Sequence, residues 1–321
     1  MITYINQYDI LSAPLSWPAY TGVIRQALGC ISQNDYAQPL KPYLRYGDPQ
    51  NRIISMPAYV GGGIHRAGIK WIASFPGNHK RQLPRASSVV ILNDADTGQP
   101  VAIINTALLS VLRTAAVSGL FVQAVAPLFG SRPLRVGITG WGPIGQYHYK
   151  MCQALLGEQA TSVRVYDTNP ELMAQARDAG IDTADSWAEV YDEADLFMAC
   201  TVAKEPYITH APKNGSVHLN VSLRDYAPVT IPFFNQHVVV DDWDEVCREN
   251  TFVERAYLSG QLQPEQAHSL ADVVFSKAIT QLPIEGALHF NPMGMAVFDI
   301  ALGNYILEQM TTDGKGVRLA A

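Results

Sequence analysis

Two textures of apolar patterning divide the chain. From Leu134 onward, short runs rich in β-branched residues recur (LRVGIT, SVRVYD, DLFMACT, SVHLNVS and HVVVDD), with helical patterns between them. Strands alternating with helices predict a parallel sheet covered on both faces. Before Leu134, Pro39, Pro42, Pro49 and Pro57, with Gly61 to Gly63, break the chain into short pieces. There GIKWIAS, SVVILND and VAIIN read as strands, and Asp96-Thr97-Gly98 reads as the turn between the last two. This front half predicts an α+β unit built on an antiparallel or mixed sheet.

A long apolar helix, about Ala107 to Leu128, is expected to join the halves. No charge occurs from Thr114 to Ser131, a stretch close to the roughly 20 residues of a membrane span. Ser118, Gly119, Gln123 and Pro127 interrupt it, however, and Arg113 stands at its start, so a buried helix is the reading and a membrane is not an expected partner. Near the end of the chain, Asn291-Pro292 predicts the N-cap and first position of a last helix running towards Met310.

The loop Gly140-Trp141-Gly142-Pro143-Ile144-Gly145 fits G-x-G-x-x-G, a pattern that means little without context. Here it follows a predicted strand and opens a helix, and Asp167 closes the next strand 22 residues after Gly145. The first glycine permits the tight turn, the second lets a pyrophosphate approach the backbone, and the helix start offers N–H donors. Asp167 can accept from both ribose hydroxyls and repel a 2′-phosphate, and no arginine follows it in Thr168-Asn169-Pro170. NAD is therefore the expected cofactor. Thr201, the last residue of the run DLFMACT, and Val202 after it are expected in the same cleft.

Composition narrows the choice of partner. The chain is 321 residues long, 48% hydrophobic and 16% charged, with a formal net charge of -6, which describes a globular protein with no basic excess for phosphate backbones. Nucleic acid is not an expected partner. Cys30, Cys152, Cys200 and Cys247 stand far apart without zinc-ligand spacing, so reduced thiols and no metal are expected. The opening MITYINQYDI lacks a basic segment followed by an apolar run, which predicts a cytoplasmic protein.

Several cations stand where an ordinary chain would have none. Lys70 interrupts the apolar run GIKWIAS. It reads either as an edge-strand lysine that blocks unwanted pairing or as a ligand for an anion. Arg113 sits about two turns into the apolar helix, against both burial and the helix dipole, and is read as a carboxylate or phosphate ligand in preference to a structural ion pair. Arg45 and Arg85 taken singly are surface arginines. Together with Lys70 and Arg113 they suggest a cationic pocket for a small polyanionic substrate. Asp225, beyond the strand Val217 to Ser222, is expected at a carboxyl edge of the sheet, where open α/β folds bind ligands.

The motifs MPAYVGG, GIKWIAS, VVILNDADTG, LRTAAVS and GITGWGPIG together resemble the ornithine cyclodeaminase and mu-crystallin family over nearly the whole chain. The resemblance implies a discontinuous substrate-binding and dimerisation domain, residues 1–130, returning as a C-terminal helix at 291–321, with a Rossmann NAD-binding domain at 131–290 inserted. It also implies a homodimer. QPLKPYLR, RASSVVILND, VVVDDW followed by CREN, and NPMGMAVFDI are similar to a dehydrogenase branch of the family that serves 2,3-diaminopropionate, a siderophore and antibiotic precursor. By that resemblance Lys70, Arg45 and Arg113 hold substrate carboxylates, Arg113 also meets the cofactor, Lys70 and Asp225 are catalytic, and Asp225 is the base. Three positions depart from the cyclodeaminases: Arg85 replaces a threonine, Ala227-Pro228-Val229 lacks their lysine, and Asn291-Pro292 replaces Asp-Ser. An extra arginine suits an extra carboxylate. Cyclodeaminase, cyclic-imine reductase and non-catalytic nucleotide binder stay open as alternatives.

Overall fold

The computed structural model describes residues 1–234, 237–279 and 286–320, apart from the side chain of His79. The chain divides into two compact units, Met1–Ala116 with Gly294–Ala321, and Val117–Met293. The boundary expected near residue 130 thus falls at Ala116, inside the helix Leu108–Phe129. That helix is long and apolar enough to cross a bilayer, with a mean hydropathy of 1.6, yet 72% of its most apolar window is buried inside the protein. Core burial accounts for its composition.

The first unit is built on an eight-stranded mixed sheet. Its order is Val317–Leu319, Ile2–Asn6, Pro100–Asn105, Ala86–Asp94, Arg66–Ser74, Arg52–Val60 and Tyr36–Ala37, with Tyr43–Leu44 also paired to Arg52–Val60. All neighbours run antiparallel except Ile2–Asn6 against Pro100–Asn105. The Asp94–Gly98 turn forms as the sequence requires. Thr97 donates its backbone N–H to Asp94 Oδ1 at 2.9 Å, and Gly98 takes a φ of 73° that favours glycine.

Strand alternation puts Leu92, Val90, Ala102 and Ile104, all fully buried, on one face of this sheet. The helix Ala296–Thr312 packs on that face, so closely that a Cβ on Gly68 would lie 2.9 Å from Ile300 Cδ1. The helix Trp17–Ser32, capped by the Ser16 side chain, packs against Ala296–Thr312 in turn. The opposite face carries Ile69, Trp71, Val89, Ile91 and Ile103, with Trp71 44% exposed. The last helix starts later than the sequence suggests: Asn291 ends the strand Leu288–Asn291, and Met295 is the N-cap. Asn291 is held in that strand by its side-chain bonds to Asn220 (2.9 Å) and His289 (3.0 Å), which a capping role would forfeit.

The second unit is an eight-stranded, wholly parallel sheet. Its order is Asp182–Thr183, Ala160–Tyr166, Leu134–Thr139, Leu196–Ala199, Val217–Asn220, Leu288–Asn291, Val238–Val240 and Ala267–Ser269. Chain direction across the sheet reverses between Leu134–Thr139 and Leu196–Ala199. This is the switch point at which doubly wound folds leave a crevice beyond the strand ends. The Rossmann-type sheet expected from the alternation is present, beside a second α+β unit.

Candidate active site

The glycine loop stands at that switch point. Gly140 adopts a φ of 89° and donates its N–H to the Tyr166 carbonyl at 2.8 Å; a Cβ there would sit 2.5 Å from the Cys200 carbonyl oxygen. A Cβ on Gly145 would approach the Gly140 carbonyl oxygen to 1.9 Å, so the helix Pro143–Leu156 can pack this near the strand only without a side chain. Gly142, the N-cap, has nothing within 4 Å of where its Cβ would be and no side-chain cap. Open space in front of uncapped helix N–H groups fits a pyrophosphate.

A cleft of about 630 Å³ opens there, lined among others by Gly140, Gly142, Asp167, Thr201, Val202 and Trp187. Asp167 accepts the Trp141 backbone N–H at 2.6 Å on one oxygen and the Asn169 N–H at 2.8 Å on the other. It ties the loop to the next strand while facing the cleft. Trp141, Pro143, Ile144 and Gly145, expected at the cofactor, belong to this loop but do not line the cleft. The Trp141 ring is buried against Tyr149 with centroids 5.6 Å apart.

Asp225 is fully buried. Thr201, a cleft residue, accepts the Ala203 N–H at 3.1 Å and donates its hydroxyl to Asp225 Oδ1. The other carboxylate oxygen, Oδ2, makes no hydrogen bond among the described residues. Burial raises the Asp225 pKa to about 6, against the Thr201 hydroxyl and the charge of Arg224, which pull it down. Arg224 turns away, donating to the Glu249 carbonyl at 2.8 Å. A carboxylate with a pKa close to neutrality and one oxygen uncommitted can accept and return a proton.

The cations of the first unit fall into two groups. Lys70 is 1% exposed in a central strand, so the edge-strand reading is wrong, and its ammonium lies 2.7 Å from Asp299 Oδ2. Arg113 Nε donates to Asp299 Oδ1 at 2.9 Å. The structural ion pair weighed for Arg113 therefore exists, but its acid is shared with a second buried cation. Burial and the Arg113 charge lower the Lys70 pKa to about 7 despite Asp299. Lys41, buried as well, donates to the Gly294 carbonyl at 2.7 Å, and its charge also depresses Lys70. Gly294 sits against the guanidinium, where a Cβ would lie 2.2 Å from Arg113 Nη1.

Arg45 does not join this group as expected. It is exposed, stacks on the Tyr43 ring at 5.3 Å and donates to the Pro49 carbonyl at 3.3 Å. Arg52 lies over the same ring at 5.6 Å, and its charge, after burial, lowers the Arg85 pKa. Arg45 and Arg52 thus share the Tyr43 ring, and Arg85, exposed itself, lies within reach of the Arg52 charge. Sequence reasoning missed Asp299, Lys41 and Arg52. Asp299 had a signal: a lone acid in the apolar run MAVFDIALG, the mirror of Arg113 in its helix. Among the described residues no cluster of His, Cys, Asp and Glu has the makings of a metal site.

The profile of the ornithine cyclodeaminase/mu-crystallin family matches residues 15–314. The chain belongs to that family. An N-((2S)-2-amino-2-carboxyethyl)-L-glutamate dehydrogenase from Staphylococcus aureus is 34% identical, over 98% of this chain and 97% of that protein. The fold is that of a Thermococcus litoralis Delta(1)-pyrroline-2-carboxylate reductase solved with NADH and L-proline, at a TM-score of 0.87 and 21% identity, covering 99% of this chain and 100% of the other. An archaeal alanine dehydrogenase dimer with bound NAD aligns at a TM-score of 0.82 and 19% identity, covering 99% of both.

Proposed function

We propose that this family member is an NAD-dependent oxidoreductase that cleaves N-(2-amino-2-carboxyethyl)-L-glutamate to L-2,3-diaminopropionate and 2-oxoglutarate. The observation that carries the reading is the buried set Lys70, Arg113 and Asp299, two cations to one acid. Burying unbalanced charge is costly, and a substrate carboxylate offsets the remaining positive charge. The second arginine group suits a substrate with more than one carboxylate, and the Staphylococcus aureus relative acts on such a compound.

The cleft residues divide the work on the cofactor. Gly142 and the start of its helix receive the pyrophosphate, and Asp167 receives the adenosine ribose. When bound, NAD supplies the acceptor for the hydride leaving the glutamyl Cα. Asp225 takes the proton of the secondary amine, so that the nitrogen lone pair forms the C=N bond as the hydride departs. It returns that proton to the imine nitrogen and, a carboxylate again, draws a proton from water as the water oxygen attacks the carbon; it then passes this proton to the nitrogen and takes up the hydroxyl proton as the carbinolamine collapses. Collapse of the resulting carbinolamine breaks the C–N bond, the amine leaves as diaminopropionate, and the carbonyl remains on 2-oxoglutarate. Thr201 holds Asp225 in place for these transfers. Lys70 and Arg113 bind carboxylate.

The half-exposed apolar sheet face, together with the dimeric alanine dehydrogenase of the same fold, supports a homodimer.

The test is to incubate the pure protein with NAD and the condensed amino acid and to follow NADH and 2-oxoglutarate together. Equal appearance of both is expected. Conversion of ornithine to proline and ammonia without net NADH would replace this reading with a cyclodeaminase.

A further inference from the structure

The register of the first sheet places the two cationic groups on one face. Met56, Lys70 and Val90 stand abreast; the next row on this face is Ile54, Ile72 and Ser88, and the last, at the strand ends, is Arg52, Ser74 and Ala86. Arg52 therefore projects on the same side as Lys70, roughly 13 Å further along at about 3.3 Å per residue. The helix covering this face starts at Ala296, three residues before Asp299, which is only about 4.5 Å of helix. The rows of Ser88 and Arg52 lie past its start.

Three observations mark this stretch as built for an anion. Arg85, exposed one residue before Ala86, stands near enough to Arg52 for that like charge to act on its guanidinium. Tyr43, paired with Ile54, holds both Arg45 and Arg52 on its ring. Between this group and Lys70, Ser88 is 5% exposed and its buried hydroxyl makes no hydrogen bond among the described residues. Buried hydroxyls are seldom left so, and a ligand oxygen would satisfy it.

We propose that Arg52 and Arg85, with the Ser88 hydroxyl, form a second carboxylate subsite that selects dicarboxylates over monocarboxylates at the site of Lys70 and Arg113. Arg52 is then a specificity residue. This rests on the polycarboxylate reading of the substrate, and it adds which residues recognise the distal carboxylate.

The experiment titrates NAD-saturated protein with 2-oxoglutarate and with 2-oxobutyrate, which has one carboxylate. The wild type is expected to prefer 2-oxoglutarate by at least about tenfold. R52Q should weaken 2-oxoglutarate by about 10- to 100-fold, the scale of one charge-assisted hydrogen-bonding group, and leave 2-oxobutyrate unchanged. R52K should retain part of the preference, and R85T should behave like R52Q. Unchanged 2-oxoglutarate affinity in R52Q, or equal loss for both acids, overturns the subsite. If the discrimination holds while the condensed amino acid is not turned over, the subsite stands and the dehydrogenase reading falls.

Discussion

Lys70 and Asp299 meet at 2.7 Å, 229 residues apart in sequence and both essentially excluded from solvent. The pair does not keep Lys70 fully charged, because burial and Arg113 outweigh Asp299 and bring the lysine to about 7 from an ordinary 10.5. Anion affinity should therefore fall several-fold as pH rises from 6 to about 8, as Lys70 loses its proton. Stability runs the other way. The unfolded chain holds this proton up to about 10.5, so the contribution of Lys70 is complete above that value and is lost as pH falls through about 7. Titration of 2-oxoglutarate across this range checks the binding limb. Lys70→Arg, which cannot lose its charge, should flatten it, and an equally steep slope in that variant would assign the proton elsewhere.

Asp299→Asn leaves two buried cations without their acid. Breaking one partner out of a buried pair costs about 3–5 kcal/mol, so a fall of several degrees in melting temperature is expected. Lys70, without its neighbouring carboxylate, should titrate still lower. Carboxylate binding should then be weak even at pH 7 and recover in more acidic buffer. A variant as stable as the wild type would mean that Lys70 and Arg113 do not depend on this acid.

Asp225→Asn separates catalysis from folding. NAD binding should be retained, because the cleft lining is unchanged, while turnover falls by about 10²–10⁴-fold, the scale of a general base. The carboxyl titrates at about 6 when folded and near 3.8 unfolded, so folding is favoured below 3.8 and loses that advantage as pH rises through 6. The amide has no such loss. At pH 8 the variant should be more stable than the wild type, by about 3 kcal/mol at most, with the gap closing below about pH 4. Paired denaturant titrations at the two pH values decide it.

Much of this was legible in the sequence because the signals were local. GITGWGPIG carries the turn, the open approach and the close packing in six positions, and the run of β-rich strands fixes the parallel sheet. Lys70 and Arg113 betrayed themselves as charges in apolar runs. The strand Arg52–Val60 was hidden by Pro57, which reads as a breaker although the sheet accepts it. Arg45 and Arg52 could not be sorted from sequence, since only the pairing of Tyr43 with Ile54 brings them to one ring. Asn291 misled because Asn-Pro is a sound helix start locally, and the bond to Asn220, 71 residues away, overrides it.

Asp167 fixes the Trp141 and Asn169 amides and lines the cleft, and the proposed function gives it the adenosine ribose as well. Asp167→Ser should cut kcat/KM for NAD by about 10- to 100-fold through lost charged hydrogen bonds, and should raise relative use of NADP by removing the repulsion of a 2′-phosphate. Steady-state kinetics with both cofactors measure this. A loss for NAD with no change in the ratio would confine Asp167 to holding the loop.

The outward sheet face tests the proposed homodimer. Trp71 is 44% exposed among Ile69, Val89, Ile91 and Ile103, on the side opposite Lys70, so a substitution there leaves the cationic face intact. A second copy covering this face would bury the indole, and aromatic residues of this kind carry much of an interface's stability. Trp71→Glu puts a charge at that position on each of the two facing copies, and the dimer should dissociate by at least about 100-fold more readily. Sedimentation equilibrium gives the constant directly, and thermal unfolding of the variant confirms that the sheet itself survives. An undiminished dimer would place the contact on another surface, and a wild type that sediments as a monomer would remove the homodimer altogether.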